Sequence, residues 1–285
     1  MGGFMRILML LLLSSWCPTL LAATHVTTQI YDIDMGQVND EPLIFLTNGQ
    51  VVTIPAFASS DLKYLKEAQA NKKWLNIHIG NDREIIGVGP GLSPVREYKR
   101  TREINLENEF QPSILENMDM AGSFFNQARS NARNESECFH RAHAWAYEWR
   151  IKENLYSSKA WIFFTRRYIR KYKFEWWFHV APMVHVIDGG TVKERIMDMK
   201  YARGPADLKR WTNIFIKDRS DCPVVEKYSD QANHPESGSC FVMKSSMYYY
   251  QPVDLERLEL MNDVRTRWDE VEVRKAFKDA FNEEL

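Results

Sequence analysis

Residues 137–149 read ECFHRAHAWAYEW, and this stretch is the most informative in the chain. After Cys138, apolar residues recur at i, i+3, i+4 and i+7, which is the spacing of a helix with one buried face. These residues are Ala142, Trp145, Ala146 and Trp149. Asn134 and Ser136 are upstream N-cap candidates, so the thiol lies at or near a helix N-terminus, where free N–H groups favour an anion. Cys138 is therefore a candidate nucleophile; a buried, unreactive thiol is the alternative.

The first 23 residues have the pattern of a secretory signal peptide. Arg6 is their one charged residue, an apolar run follows at 7–13, and small residues at 22–23 offer a cleavage site. We expect a cleaved, soluble product that is secreted or periplasmic; a retained membrane anchor is the alternative. No later segment reaches the ~18 apolar residues needed to span a bilayer. Roughly 260 residues remain, enough for a sizeable core or two domains.

Export determines the state expected for the cysteines. Three of them follow residue 23, and an oxidising compartment favours one disulfide and one leftover thiol. Cys222 and Cys240 flank a polar segment that reads as a surface loop. A bridge between them would stabilise the fold by about 3 kcal/mol in the chain-entropy model. Cys138 is then the unpaired cysteine.

Charge and spacing weigh against several classes of ligand. The formal net charge of −1 argues against nucleic acid as the main partner. The basic run at 166–173 is interpreted as the solvated face of a strand or helix and not as a polyanion site. On a helix, His140 and His143 point about 200° and 140° away from Cys138, which makes them poor bases for it. The same geometry weakens a metal-site interpretation of this Cys-x-His-x-x-His spacing.

The N-terminal part, residues 24–95, reads as a small α+β unit. Residues 43–54 predict a hairpin about an Asn48-Gly49 type I′ turn. A helix is expected from Ser59 or Ser60 to about residue 72. Further strands are expected at 74–79 and 84–88.

Glycine and proline at 89–94 mark the boundary of this unit. The basic segment 96–102 that follows offers a protease cleavage site. Residues 96–285 are predicted to form one domain, helical from 254 to 281, with Tyr248, Tyr249 and Tyr250 in its core.

A cysteine nucleophile needs a base, and the sequence offers His179. It lies in an aromatic strand predicted at 176–187, beside Pro182, which marks an edge or bulge. His185 shares its face but lies about 20 Å further along the strand, so both cannot serve one thiol. A buried core histidine is the alternative interpretation of His179.

A carboxylate is predicted next to that histidine by the register of the hairpin that follows. A second strand is predicted at 195–201. If Gly189-Gly190 is a two-residue turn, Asp188 pairs with Thr191. Asp198 then lies diagonally opposite His179, close enough for a carboxylate to reach an imidazole. An odd-length turn would place Asp198 on the other face of the sheet.

The order Cys138, His179, Asp198, with separations of 41 and 19 residues, resembles the bacterial protein-glutaminase (protein glutamine deamidase) family. The helix motif Cys-x-x-Arg-Ala-His at 138–143 and the run WFHVAP at 177–182 carry the same resemblance. It covers about residues 100–285. The resemblance implies an α+β fold, with a papain- or transglutaminase-like catalytic domain at 96–285 behind a small α+β inhibitory pro-domain at 24–95.

The resemblance also implies roles for individual residues. Cys138 would be the nucleophile, His179 the base and Asp198 the group that orients it, with no metal or organic cofactor. Trp176, Trp177 and Tyr248 are suggested to line the slot for the substrate side chain. The implied substrates are proteins or peptides that carry glutamine, and the implied oligomeric state is a monomer.

Other activities fit the same three residues. A papain-like peptidase would use them on backbone amides, and a transglutaminase would replace water by an amine. An exported binding protein with an inactive triad is a third alternative.

Overall fold

The computed structural model describes residues 24–37, 40–55, 59–93, 110–128, 130–233 and 238–285. The signal peptide, the cleavage segment at 96–102 and the boundary at 95/96, all predicted above, lie outside the described residues. Within these ranges, no helix is both long and apolar enough to cross a membrane.

The described residues form twelve strands and eight helices. The strands are β1 (Thr24–Thr28), β2 (Ile30–Asp34), β3 (Leu43–Leu46), β4 (Val51–Thr53), β5 (Leu75–Ile79), β6 (Ile85–Pro90), β7 (Ile114–Leu115), β8 (Ser158–Phe164), β9 (Phe178–Asp188), β10 (Thr191–Ile196), β11 (Val224–Val225) and β12 (Cys240–Ser246). The helices are α1 (Ser59–Ala70), α2 (Met118–Gln127), α3 (Cys138–Glu153), α4 (Arg166–Tyr172), α5 (Leu208–Phe215), α6 (Tyr228–Asn233), α7 (Pro252–Met261) and α8 (Glu270–Phe281). The predicted α+β class is confirmed.

The largest sheet holds the C-terminal part of the chain together. Its strands follow the order β10-β9-β8-β12-β11, and β7 pairs with the side of β9. Strand β8 is buried along its whole length, which explains why it reads as a nearly continuous apolar run without alternation. Helix α3 packs between β9 and α8. The aromatic core includes Trp161, Phe163 and Tyr168.

Helix α3 confirms the predicted helix after Cys138, but two details of the prediction are wrong. The N-cap is Glu137, in an extended conformation, and not Asn134 or Ser136; the Ser136 hydroxyl donates to Arg133 O instead. The helix is also buried on nearly all sides and not on one face. This follows from its position in the core, because α8 covers the side that β9 leaves open.

The N-terminal residues form two small sheets with their own core. One has the order β1-β5-β6 and the other β2-β3-β4, and α1 packs against β2. The strands β5 and β6 and helix α1 confirm the predictions for this region. The core contains Leu65, Leu75 and Ile77.

The predicted hairpin at 43–54 is present, but its turn is not type I′. Phe45 pairs with Val51, and Leu46 N–H donates to Gln50 O, which leaves a three-residue loop. A type I′ turn needs two residues with positive φ, whereas only Gly49 has one, at +94°. The loop is therefore a type I turn closed by a glycine bulge.

This hairpin contributes side chains to both cores. Leu43, Phe45 and Val51 pack into the large C-terminal core. Ile44, Leu46 and Val52, which alternate with them, pack into the N-terminal core. Because successive side chains of a strand point to opposite faces, one hairpin connects the two parts of the molecule.

Three further expectations are corrected by the structure. The strand predicted to reach Tyr201 ends at Ile196. The C-terminal helical region is two helices, because Asn262 adopts a left-handed conformation at the end of α7. The basic run at 166–173 forms α4, in which Tyr168 and Ile169 are buried, so it is not simply a solvated face.

Candidate active site

Cys138 is the first residue of α3. Its thiol is free and partly buried. The N–H groups at the start of a helix have no partner inside the helix, and Cys138 belongs to that first turn. Such a position favours an anion, either the thiolate or an oxyanion formed on a bound carbonyl group.

Buried Arg141 fixes the segment that leads into this helix. Its guanidinium donates to the Ser136 carbonyl oxygen and, at 3.1 Å, to the Ser136 hydroxyl. These bonds connect the second turn of α3 to the residues just before Cys138. The position of the thiol is thereby held by the arginine of the Cys-x-x-Arg-Ala-His motif.

His179 is the second residue of β9, and its side chain is almost fully buried. The Nε2 atom of its ring lies 2.7 Å from Oδ2 of Asp198. The Cys138 side chain lies near enough to the ring to raise the pKa of His179. Because Asp198 occupies Nε2, Nδ1 is the ring nitrogen available to the thiol. The structure thus brings Cys138, His179 and Asp198 together in series.

The predicted register of the β9–β10 hairpin is confirmed. Gly189 and Gly190 have φ values of +63° and +78°, and Asp188 pairs with Thr191. This pairing continues to Ile196 opposite Met183, and Met197 N–H still donates to Pro182 O.

Asp198 lies just beyond the end of β10. There the chain turns, and the Asp198 carbonyl oxygen accepts from the N–H groups of Tyr201 and Ala202. The register therefore brings Asp198 beside His179, at the first turn after the strand.

The electrostatics of the buried pair favour the ionised forms. Burial alone would lower the pKa of His179, but the Asp198 carboxylate and the nearby Cys138 raise it to about 9. Burial alone would raise the pKa of Asp198, but its interaction with His179 and a hydrogen bond from Trp211 lower it. The imidazolium and the carboxylate therefore stabilise one another.

Trp211 is a site residue that the sequence analysis did not identify. Its indole N–H donates to Oδ2 of Asp198 at 2.9 Å, from the buried face of α5. Phe215, one turn later on the same helix, packs against the His179 ring with centroids 4.6 Å apart. Apolar spacing in α5 could have predicted a buried face, but no sequence pattern shows which group the indole reaches.

The three aromatic residues suggested to line a substrate slot occupy different environments. Trp176 is partly buried and stacks on His179, with ring centroids 6.2 Å apart. Trp177 is buried, and its indole N–H donates to Leu46 O. Tyr248 is buried against Trp268 in a separate small cluster. Trp176 is the one of the three that contacts His179, and a role in binding stays a prediction for all of them.

The other histidines expected to lie away from Cys138 have contacts of their own. His140 lies 2.7 Å from Glu137 and 3.3 Å from Asp279. His143 is buried with its Nδ1 atom 2.9 Å from Lys159 Nζ. His185 lies 3.8 Å from Glu194. Over the described ranges, no group of three or more His, Cys, Asp or Glu side chains is arranged to hold a metal ion.

The predicted bridge between Cys222 and Cys240 is present, with Cα atoms 4.9 Å apart. It ties the start of β12 to the segment before β11. The intervening chain is not only loop, because it includes β11 and α6. Cys138 is left as the free thiol, as the cysteine count predicted.

Comparisons with known proteins agree with this arrangement. Residues 119–215, about a third of the chain, match a family model described as glutaminase, and this segment includes Cys138, His179 and Asp198. No curated protein matches the chain.

Two solved structures share the fold. The crystal structure of a pro-protein-glutaminase is 17% identical, with a TM-score of 0.52, and the match covers 80% of this chain and 84% of that one. A mutant of pro-protein-glutaminase is 19% identical, with a TM-score of 0.51 and coverage of 81% and 85%. Residues 96–285 are about two thirds of the chain, so a match over 80% extends into the N-terminal part.

The fold and the site define an α+β protein in which a thiol, an imidazole and a carboxylate lie in series at the start of a buried helix. The resemblance to protein-glutaminases that the sequence predicts is confirmed by the family match and by the shared fold.

Proposed function

We propose that this protein is an exported, cysteine-dependent deamidase that converts glutamine side chains of proteins into glutamate and ammonia. The observation that carries the proposal is the contact series from Cys138 to His179 to Asp198, within the segment that matches the glutaminase family model. The buried carboxylate and the helix N-terminus supply the electrostatics that acyl transfer needs.

The reaction begins with a proton held by His179. Because Asp198 raises the pKa of His179 to about 9, the ring is an imidazolium at neutral pH, and it can stabilise negative charge on the Cys138 sulfur during the attack. The thiolate attacks the carboxamide carbon of a bound glutamine. The oxygen of that carboxamide gains negative charge, which the N–H groups at the start of α3 stabilise.

Two acyl transfers then complete the turnover. The C–N bond breaks as His179 gives its proton to the departing nitrogen, and ammonia leaves a thioester on Cys138. Neutral His179 takes a proton from water as the water oxygen attacks the thioester. The C–S bond breaks, glutamate is released, and the thiolate and imidazolium are restored.

We further propose that the N-terminal unit makes the uncut chain a zymogen. Its β3–β4 hairpin binds the segment that leads into β9: Trp177 N–H donates to Gly49 O at 3.0 Å, and Val51 N–H donates to Glu175 O at 2.8 Å. Trp176, between these two bonds, stacks on His179. Cleavage in the basic segment at 96–102 would allow the hairpin to leave.

The test is ammonia release from denatured casein by the full chain, before and after limited proteolysis between residues 93 and 110. Cys138→Ser is the inactive control. His185→Asn is the matched control for His179→Asn, because both histidines lie on β9 and His185 is outside the site. We expect activity in the cut wild type and in cut His185→Asn, and none in the other two variants.

The products of the assay distinguish a deamidase from a peptidase, a transglutaminase and a binding protein. Ammonia without fragments, together with the mass increase of amide-to-acid conversion, supports a deamidase. Fragments of casein would identify a peptidase, and incorporation of an added primary amine would identify a transglutaminase. If the folded, cut protein gives no ammonia, no fragments and no amine incorporation, a binding role is favoured. Equal activity before and after the cut would contradict the zymogen proposal alone.

A further inference from the structure

Helix α4 binds the N-terminal unit through two arginines. Nη2 of Arg166 lies 2.6 Å from Oδ2 of Asp32, and Nη2 of Arg170 lies 2.7 Å from Oδ2 of Asp34. Arg170 also donates to the Glu41 carbonyl oxygen at 2.9 Å and lies 3.8 Å from the Asp40 carboxylate. The charged side of α4 is therefore covered by an acidic segment of the same chain.

The acidic side chains belong to the face of the N-terminal unit that meets the C-terminal core. Asp32 lies opposite Phe45 in the β2–β3 ladder, and Asp34 lies opposite Leu43. Phe45 and Leu43 are the side chains that enter the large core. The N-terminal unit thus presents one extended strand with two carboxylates beside an apolar strip.

The distance between the two arginines on α4 is close to the distance between the two aspartates on β2. Residues four apart on a helix have Cβ atoms about 5–6 Å apart. Alternate residues of a strand lie roughly 7 Å apart on one face. Arg166 and Arg170 on α4 can therefore bind two carboxylates in an Asp-x-Asp pattern on an extended chain, as Asp32 and Asp34 show.

One of the two pairs, Arg170 with Asp34, is partly shielded from solvent, whereas the side chains of Arg166 and Asp32 are 48% and 35% exposed. The Arg170 side chain is 23% exposed and that of Asp34 is 14% exposed. Partial burial would raise the pKa of Asp34, but the hydrogen bond from Arg170 lowers it. The planar guanidinium group suits carboxylates better than a lysine ammonium does.

The arginines also lie close in the chain to the candidate active site. α4 ends at Tyr172, and four residues later Trp176 stacks on His179. The N-terminal unit covers α4 and the segment 175–177 together, so its departure would open both at once. A polypeptide bound beside His179 could then reach Arg166 and Arg170.

We propose that Arg166 and Arg170 form a docking site for acidic, extended segments of the protein substrate, and that Asp32 and Asp34 occupy it in the uncut chain. This inference rests on the proposed deamidase function and deepens it. Glutamines near an Asp-x-Asp pattern are the preferred targets. The N-terminal unit acts as a competitor for that docking site.

Binding tests the docking site without any need for activity. The full, uncut Cys138→Ser chain is titrated against a fluorescent peptide that has repeated Asp-x-Asp and no glutamine. The variant Asp32→Asn/Asp34→Asn removes the carboxylate partner of each arginine, and Arg170 keeps its bonds to the Glu41 and Asp34 carbonyl oxygens. It is expected to bind this peptide about fivefold more tightly than its parent, a gain that is lost in high salt. Adding Arg166→Gln/Arg170→Gln is expected to abolish the gain. Adding Arg167→Gln/Lys171→Gln removes the same charge from α4 and is expected to preserve it.

Kinetics then test substrate choice in the cut chain. Two long peptides carry one central glutamine flanked on both sides by repeats of Asp-x-Asp or of Lys-x-Lys, and a capped glutamine dipeptide is the third substrate. We expect kcat/KM to be about tenfold higher for the acidic peptide than for the basic one. Arg166→Gln/Arg170→Gln should remove this preference and leave the dipeptide unchanged.

The outcomes of the two experiments are distinguishable. Equal rates for acidic and basic peptides, with no change in peptide binding, would overturn the docking site and leave the deamidase proposal intact. Tight binding of the acidic peptide with no ammonia from any substrate would overturn the deamidase proposal. Loss of the preference in the Arg167→Gln/Lys171→Gln control as well would show a diffuse charge effect and would also overturn the docking site.

Discussion

The Trp211 indole N–H donates at 2.9 Å to the same Asp198 oxygen that lies 2.7 Å from His179 Nε2. One carboxylate oxygen is thus held from two sides, by an indole on α5 and by the imidazole on β9. This arrangement fixes the carboxylate without adding a second charge. The His179 ring is oriented by a group that is itself oriented by Trp211.

Replacing Trp211 by Phe should lower kcat/KM about tenfold or more, because the change removes a hydrogen bond to a charged group and keeps an aromatic ring. The acidic limb of the pH profile should also move to higher pH, because the hydrogen bond from Trp211 lowers the pKa of Asp198 and its loss raises that pKa. The measurement is kcat/KM against pH. Trp161→Phe is the control, because its indole bond is to Ser245. An unchanged profile in Trp211→Phe would contradict this role.

The His179 ion pair should make stability depend on pH. The pKa of His179 is about 9 in the folded chain, against an ordinary value of 6.5. A group whose pKa is raised by folding contributes stability fully below its unfolded pKa and loses it as the pH rises through the folded value. The difference in unfolding free energy between wild type and His179→Gln should therefore fall between about pH 6.5 and 9, by at most about 3 kcal/mol. Denaturant titrations at several pH values measure this difference, and a flat difference would argue against the ion pair.

Loss of the Cys222–Cys240 disulfide should destabilise the fold without removing the nucleophile. The bridge spans 18 positions, so the chain-entropy model gives a loss of about 3 kcal/mol for Cys222→Ser/Cys240→Ser. The measurement is denaturant unfolding, with ammonia release assayed where the variant is still folded. Activity that disappears in the folded variant would mean that the bridge also shapes the site.

Gly49→Ala should weaken the contact between the hairpin loop and the strand that carries His179. The φ angle of Gly49 is +94°, and an added Cβ would lie 3.0 Å from the Phe178 ring. We therefore expect more activity from the uncut chain than in wild type. Gly190→Ala is the control, since its φ is also positive but an added Cβ would have no neighbour within 4 Å. Equal activity of the two uncut variants and wild type would count against the hairpin as an inhibitor.

Local patterns were sufficient to predict the parts of the site that depend on short-range geometry. The helix after Cys138 follows from its apolar periodicity. The proximity of His179 and Asp198 follows from the parity of a two-residue Gly-Gly turn, which fixes every later pair of the hairpin. The free state of Cys138 follows from an odd number of cysteines after residue 23.

Features that depend on tertiary packing were not predicted. Trp211 reaches Asp198 because α5 folds back over the end of β10, and no spacing in the sequence specifies that approach. The arginines of α4 read as solvent-facing because their carboxylate partners lie more than 120 residues earlier in the chain. The strand predicted at 195–201 ends at Ile196, because β-propensity does not show where a chain must turn.

Because the β3–β4 hairpin packs side chains into both cores, its removal by cleavage would affect the lifetime of the folded C-terminal chain. Leu43, Phe45 and Val51 complete the large core, so a C-terminal chain separated from them would lose part of that core. Its lifetime would then be set by the height of the barrier to unfolding and not by the equilibrium between folded and unfolded chains. Such a chain would refold poorly once denatured, and the N-terminal unit would serve as its folding template.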